Sequence, residues 1–129
     1  MEELRIDTSV GKLRITGECI DDIMATALDG GITYWCNKAE VIGGYLGEYA
    51  SDQISRGGKL KLYDYEAETT YELTIENLIA GIKVLIEDDS IEVNLTKREN
   101  CFELDEDYLD STLSDLIIQY AVFGELVYA

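Results

Sequence analysis

Residues 59–86 read KLKLYDYEAETTYELTIENLIAGIKVLI, and the first half of this stretch has the pattern of two paired strands. Apolar residues alternate with lysines before an acidic loop at 64–69, and they alternate with polar residues after it. The alternating apolar positions are Leu60, Leu62, Tyr71, Leu73 and Ile75. Period-two alternation on both sides of a polar loop predicts a β-hairpin.

The second half of the stretch changes to a helical period. Thr74 is a residue type that caps helices, because its hydroxyl accepts a hydrogen bond from a free backbone N–H group in the first turn. Apolar residues then recur at spacings of three and four, which predicts an amphipathic helix. Its buried stripe is Leu78, Ile79, Ile82, Leu85 and Ile86.

The residues before this stretch repeat the same order of hairpin and helix. Alternation on either side of Ser9-Val10-Gly11 predicts a first hairpin, and helical spacing over 20–28 predicts a helix that Gly30-Gly31 ends. The apolar positions of the hairpin are Leu4, Ile6, Leu13 and Ile15. Those of the helix are Ile20, Ile23, Met24, Ala27 and Leu28.

The remaining segments give weaker signals. Residues 32–42 are ambiguous but favour a strand, and 43–58 are typical of a loop or a short helix. Alternation predicts an exposed strand over 91–95, and residues 123–128 predict a last strand. A third helix is expected to begin at Asp105-Glu106-Asp107, where acids suit the positive helix end. Its stripe is Leu109, Leu113, Leu116, Ile117 and Tyr120.

Strands mixed with about three helices, without regular βαβ alternation, indicate the α+β class. We therefore expect a short antiparallel sheet of hairpins packed with about three helices, in a single domain over 1–129. The beginning of the chain has no basic and apolar leader, and no apolar run approaches the ~20 residues of a membrane span. A cytoplasmic protein is the expectation.

The chain is strongly acidic. Twenty-seven acids and ten bases give a formal net charge of −17, and the stretch from Glu87 to Asp115 contributes −9 of it. A negative field repels nucleic acids and anionic membranes, and it attracts basic protein surfaces. Solubility alone is served by a net charge of about 2–8 in magnitude for a small domain, so this excess favours a basic partner.

The residue types exclude much of enzyme chemistry. Without histidine there is neither a Ser-His-Asp triad nor a histidine-held metal hydroxide, and the three separated cysteines make no zinc motif. Residues 105–110 lack the glycine of a calcium loop, and 43–47 match no phosphate loop. We predict no enzyme, no cofactor and no metal site; carboxylate or tyrosine chemistry and weak divalent-cation binding stay open.

The predicted partner-binding residues are acids and tyrosines. Acids at 87–89 oppose the dipole at a helix end, so helix stability does not explain them. Tyrosines 45 and 49 lie four apart in a polar, glycine-rich stretch, whereas Trp35 is expected to fill the core. The candidate site residues are Glu87, Asp88, Asp89, Glu92, Asp105, Glu106, Asp107, Asp110, Tyr45 and Tyr49.

Four stretches of the sequence resemble a group of known proteins. ALDGGITYWC at 27–36, AEV at 39–41, YLGEYASDQISRGG at 45–58 and QYAVFGELVY at 119–128 resemble a group of small proteins from phages and prophages of Gram-positive bacteria. The resemblance implies a phage setting and carries over no functional residues. Small acidic phage proteins include anti-CRISPR proteins, which block CRISPR nucleases.

Three hypotheses follow from charge, motifs and setting. The first is an inhibitor whose acids occupy the DNA or RNA channel of a basic host protein such as a type II CRISPR nuclease, without direct nucleic-acid binding. The second is a structural or regulatory phage protein that binds another partner, or forms a homodimer through the apolar C-terminal run. The third is a small ligand-binding domain with its site near 34–56.

Overall fold

The predicted hairpin and helix of residues 59–86 are both present. The structure is a computed structural model that describes residue 1 and residues 3–129. Strands β4 (Lys59–Asp64) and β5 (Thr69–Leu73) pair in antiparallel register, and α2 (Ile75–Glu87) follows directly. Thr74 caps α2 by accepting a hydrogen bond from the N–H of Asn77 at 3.3 Å, as the sequence predicts.

The first half of the chain also follows the prediction. Strands β1 (Glu3–Thr8) and β2 (Gly11–Thr16) form the first hairpin, and α1 (Gly17–Thr26) begins where β2 ends. A wider helical turn, Ala27–Gly31, continues α1 to the predicted glycine pair. Strand β3 (Cys36–Ile42) is shorter than the expected strand over 32–42, because residues 32–35 form a hydrogen-bonded turn.

Three other segments differ from the prediction. The strand expected at 91–95 is wrong, because β6 occupies Leu95–Lys97 and pairs with β7 (Phe102–Leu104), which the sequence did not indicate. The last helix α3 (Ser111–Phe123) begins six residues later than expected, and no strand forms over 123–128 of the described chain.

The two differences at α3 are visible in the caps at its ends. Asp105 accepts the N–H of Asp107 at 3.0 Å, so its side chain satisfies a short 3₁₀ turn instead of starting α3, and Asp110 caps α3. At the other end, Gly124 takes a left-handed conformation, with φ of 76°, and closes the helix. Glycine adopts this conformation without the steric cost of a Cβ, so the chain turns back across α3.

The α+β class is confirmed. Within residues 1 and 3–129, seven strands form two sheets, in the orders β1-β2-β7-β6 and β3-β4-β5. The two hairpins thus belong to different sheets, and β2 with β7 is a parallel pair. One apolar core joins residues from both sheets and from all three α-helices, with Trp35 fully buried within it.

Candidate partner-binding surface

The first acidic cluster, residues 87–92, lies at the end of α2. Two of its members accept hydrogen bonds from other residues of the fold. Glu87 accepts the N–H of Ser9 at 2.7 Å. Asp88 accepts the N–H and hydroxyl of Ser90 at 2.9 and 2.6 Å and the Tyr120 hydroxyl at 2.6 Å. These hydrogen bonds, those from Ser90 first, hold the pKa of Asp88 below its usual range.

The other members of this cluster are exposed. Asp89 and Glu92 accept no hydrogen bond from another described residue. Two of the acids that helix stability is not expected to explain make contacts with other elements: Asp88 joins the end of α2 to α3, and Glu87 holds the turn between β1 and β2.

The second acidic cluster, residues 105–110, lies between β7 and α3. Asp105 and Asp110 are the caps described above, whereas Glu106 and Asp107 are exposed. Carboxylates at the start of α3 face the positive end of the helix dipole, so Asp110 stabilises the fold as well as adding charge. Glu106 and Asp107 are the members of this cluster whose carboxylates have no acceptor role in the described residues.

The fold brings one end of each cluster near the other. The N–H of Asp105 donates at 3.1 Å to the carbonyl oxygen of Asn94, two residues after Glu92. Glu92 also lines a cleft of about 700 Å³ together with Ser111 and Thr112, the first residues of α3 after the Asp110 cap. We call the eight predicted acids the acidic region.

Basic residues do not neutralise the acidic region. Among the described residues, seven ion pairs join six cations to five acids, and none of those five acids belongs to the region. The paired acids are Glu3, Asp7, Glu40, Glu72 and Glu103. Those five lie on strands, so these ion pairs are concentrated on the sheets and leave the eight acids of the acidic region unpaired among the described residues.

In the part of the chain that the structure describes, no three histidine, cysteine or acidic side chains converge as metal ligands would.

The two predicted tyrosines lie on a separate loop. Tyr45 and Tyr49 are 63% and 62% exposed, and Leu46 between them is 55% exposed. Tyr49 lines a shallow groove with Asp29 of the turn that ends α1, and none of the acidic region lines that groove. The structure thus leaves both tyrosines on the surface without placing them against the acidic clusters.

A buried polar network surrounds Asp115, and the sequence pattern did not predict it. Asp115, 9% exposed, accepts hydrogen bonds from Trp35 Nε1 at 2.8 Å, Gln119 Nε2 at 2.9 Å and the Tyr34 hydroxyl. Burial and the Asp115 carboxylate raise the pKa of Tyr34 to about 12. The available signal was the spacing of Asp115 and Gln119, four apart in an otherwise apolar helical run.

The same network fastens the C-terminal segment 124–129. Gln119 Oε1 accepts the N–H groups of Val127 and Tyr128 at 2.9 and 2.8 Å, and the Tyr128 hydroxyl donates to Asp64 at 2.7 Å. The Tyr128 ring stacks on Trp35, with ring centroids 5.6 Å apart. Much of the apolar surface that suggested a homodimer seam is thus used within the chain, and Leu126 and Val127 stay exposed.

The cysteines give a prediction about reactivity. Burial, followed by the nearby charge of Glu106, raises the pKa of Cys19 to about 12, and burial raises that of Cys36. The thiolate is the reactive form, so both thiols stay protonated and unreactive at pH 8. A thiol-specific disulfide reagent is expected to modify half-buried Cys101 rapidly and all three cysteines only in denaturant. Rapid modification of three thiols in the folded protein would contradict this burial.

Comparisons with protein families, with curated proteins and with solved structures found no match to this chain. Among the described residues, no helix combines the length and the apolar content that a membrane crossing requires.

Proposed function

We propose that this protein is an acidic inhibitor that occupies a basic nucleic-acid-binding surface of a host protein. The observation that supports this proposal is the acidic region, whose eight acids form no ion pair among the described residues. Basic channels that bind nucleic acids gain most of their nonspecific affinity from phosphate charges. Carboxylates presented on a folded surface compete for the same lysines and arginines.

The size of the charge suits this role. A globule of 129 residues has a radius of gyration near 14 Å and spans roughly 35 Å. Duplex DNA of that length carries about twenty charges, at one per ~1.7 Å. The net charge of −17 is of similar magnitude, and more than half of it comes from the stretch between Glu87 and Asp115.

The particular host protein that we propose is a type II CRISPR nuclease, which binds its guide and target in positively charged channels. The resemblance of residues 27–58 and 119–128 to small phage proteins supports this choice of partner. It also supports the proposed location, the cytoplasm of the bacterial host, where such a nuclease acts.

The test compares two variants of equal charge. One replaces Asp89, Glu92, Glu106 and Asp107 with lysine, because these exposed acids accept no hydrogen bond from another described residue. The control replaces four exposed acids outside the region with lysine, and both variants have a net charge of −9. The control positions are Glu66, Glu68, Glu76 and Glu125.

Binding to a Cas9–guide complex is measured by surface plasmon resonance, and target cleavage is measured in parallel. The wild type is expected to bind and inhibit, with an affinity that falls steeply as salt rises. The first variant is expected to lose at least about a hundredfold in affinity at low salt, whereas the control loses much less. Absence of wild-type binding, or equal losses in both variants, would refute inhibition through the acidic region.

A further inference from the structure

Exposed apolar side chains are concentrated on the loop between β3 and β4. Tyr45, Leu46 and Tyr49 are each more than half exposed, and they fall within five consecutive residues. Large apolar residues scattered singly on a surface need no explanation, whereas a cluster of them marks an interaction site. Tyrosine is also among the residue types that dominate binding energy at protein interfaces.

A buried glutamine holds this loop in place. Gln53 has no exposed surface, and its side-chain oxygen accepts the N–H of Leu46 at 2.6 Å. Its side-chain nitrogen donates to the carbonyl oxygens of Gly47 at 3.2 Å and Tyr49 at 2.6 Å. One amide therefore fixes three backbone positions of the loop.

Close packing on the inner side completes the arrangement. A Cβ added to Gly47 would lie 2.6 Å from Cβ of Asp52 and 2.7 Å from Nε of Arg56, so the loop backbone lies directly against both residues. Asp52 also accepts the N–H of Tyr49 at 3.2 Å. The backbone is thus tied inward, and the side chains of Tyr45, Leu46 and Tyr49 remain on the outside.

The charge around the loop indicates the partner. The cation Arg56 packs against the loop at Gly47, whereas the loop itself and the turn that ends α1 contribute the acids Glu48, Asp52 and Asp29. One of them, Asp29, lines the same groove as Tyr49. A complementary partner surface therefore has an apolar pocket bordered by lysines or arginines.

We propose that the loop carrying Tyr45, Leu46 and Tyr49 is the apolar anchor of the complex, inserting into a pocket beside the basic surface of the nucleic-acid-binding partner. Gln53 is its positioning residue. This inference rests on the proposed function and assigns different roles in binding to the acidic region and to the loop. Long-range charge governs the association rate and its salt dependence, and a buried aromatic anchor governs the dissociation rate. The rigid loop loses little conformational freedom on binding.

The test uses the same Cas9–guide complex and resolves association from dissociation at two salt concentrations. A variant with alanine at 45, 46 and 49 is expected to dissociate at least about a hundredfold faster, with an unchanged association rate and an unchanged salt slope. The matched control places alanine at Leu4, Val84 and Val127, which are 37%, 45% and 51% exposed outside the loop. It is expected to bind as the wild type does.

A second variant, Gln53→Ala, tests the positioning role without a partner. Loss of the acceptor on the Leu46 N–H is expected to speed hydrogen exchange of that amide at least about tenfold, while α-helix amides keep their rates. The same variant is expected to dissociate faster from the partner, with the salt slope unchanged. Unchanged exchange at Leu46 would overturn the positioning role.

The outcomes separate the two proposals. If the wild type fails to bind the Cas9–guide complex, the proposed function falls and the anchor falls with it. If the wild type binds and the triple-alanine variant binds equally well, the acidic inhibitor stands and the anchor is overturned. A triple-alanine variant that changes the association rate or the salt slope instead would also overturn the anchor, because the loop would then act through charge.

Discussion

The variant Asp115→Ala is expected to lose about 3 kcal/mol of unfolding free energy. The carboxylate accepts hydrogen bonds from Trp35, Gln119 and Tyr34, and alanine leaves these donors without it. Each buried donor without an acceptor costs roughly 1–3 kcal/mol, partly offset here because a buried charge is removed. The Tyr34 hydroxyl keeps a second acceptor, the carbonyl oxygen of Tyr128 at 3.2 Å, which limits the total.

Urea unfolding followed by far-ultraviolet circular dichroism measures this loss. Asp107→Ala is the matched control, because Asp107 is exposed and its carboxylate accepts no hydrogen bond in the described chain. The control is expected to change stability by no more than about 0.5 kcal/mol. A loss below about 1 kcal/mol for Asp115→Ala would mean that water or a rearranged Gln119 replaces the carboxylate.

The variant Gly81→Val is expected to destabilise the protein by more than about 3 kcal/mol. Gly81 lies where α2 crosses α3, and an added Cβ would meet the backbone nitrogen and Cα of Ala121 at 2.5 and 2.6 Å. Backbone atoms cannot rotate away as a side chain does, so the two helices must separate and their shared core must loosen. Valine adds two methyl groups to that clash and is also a weaker helix former than alanine.

Gly81→Ala separates the clash from helix propensity. Alanine is favoured over glycine inside a helix by about 1 kcal/mol, so an open position would be stabilised. At Gly81 we expect destabilisation by about 2 kcal/mol instead, measured by thermal and urea unfolding. The control is Gly44→Ala, where a Cβ would meet nothing within 4 Å. Stabilisation by Gly81→Ala would show that the helix contact is not tight.

Local periodicity predicted the elements whose backbone hydrogen bonds and caps come from residues nearby in sequence. The hairpin at 59–73 and the helix that Thr74 caps follow directly from alternation, a capping residue and a helical stripe. Strand β7 could not be predicted in this way. It is three residues long, and its parallel pairing with β2 joins Leu13 to Phe102, which are distant in sequence.

The start of α3 shows a second limit of prediction from local sequence. Several acids in a row suit a helix beginning, and both Asp105 and Asp110 make capping hydrogen bonds in the structure. Composition alone could not tell which of them starts the long helix, because a short polar side chain stabilises a 3₁₀ turn as readily as an α-helix. Tertiary packing of the apolar residues after Asp110 decides it.

For the candidate surface, the sequence identified the residue types but not their arrangement. It marked the two acidic clusters, and the contact between Asp105 and Asn94 that joins them is a backbone hydrogen bond with no side-chain signature. It also marked Tyr45 and Tyr49. Sequence did not indicate Gln53, which holds the tyrosine loop, or Asp115, which holds Trp35, because burial of a polar side chain depends on its tertiary surroundings.

Trp35 gives the chain an optical property of practical use. It is the one tryptophan in the sequence, so indole emission comes from a single place. That place is fully shielded from water, with the Tyr128 ring stacked at 5.6 Å and Phe123 at 5.3 Å. Release of residues 124–129 would admit water to the indole and move its emission to longer wavelength. The emission wavelength of Trp35 therefore reports, without any label, whether residues 124–129 are packed against the core.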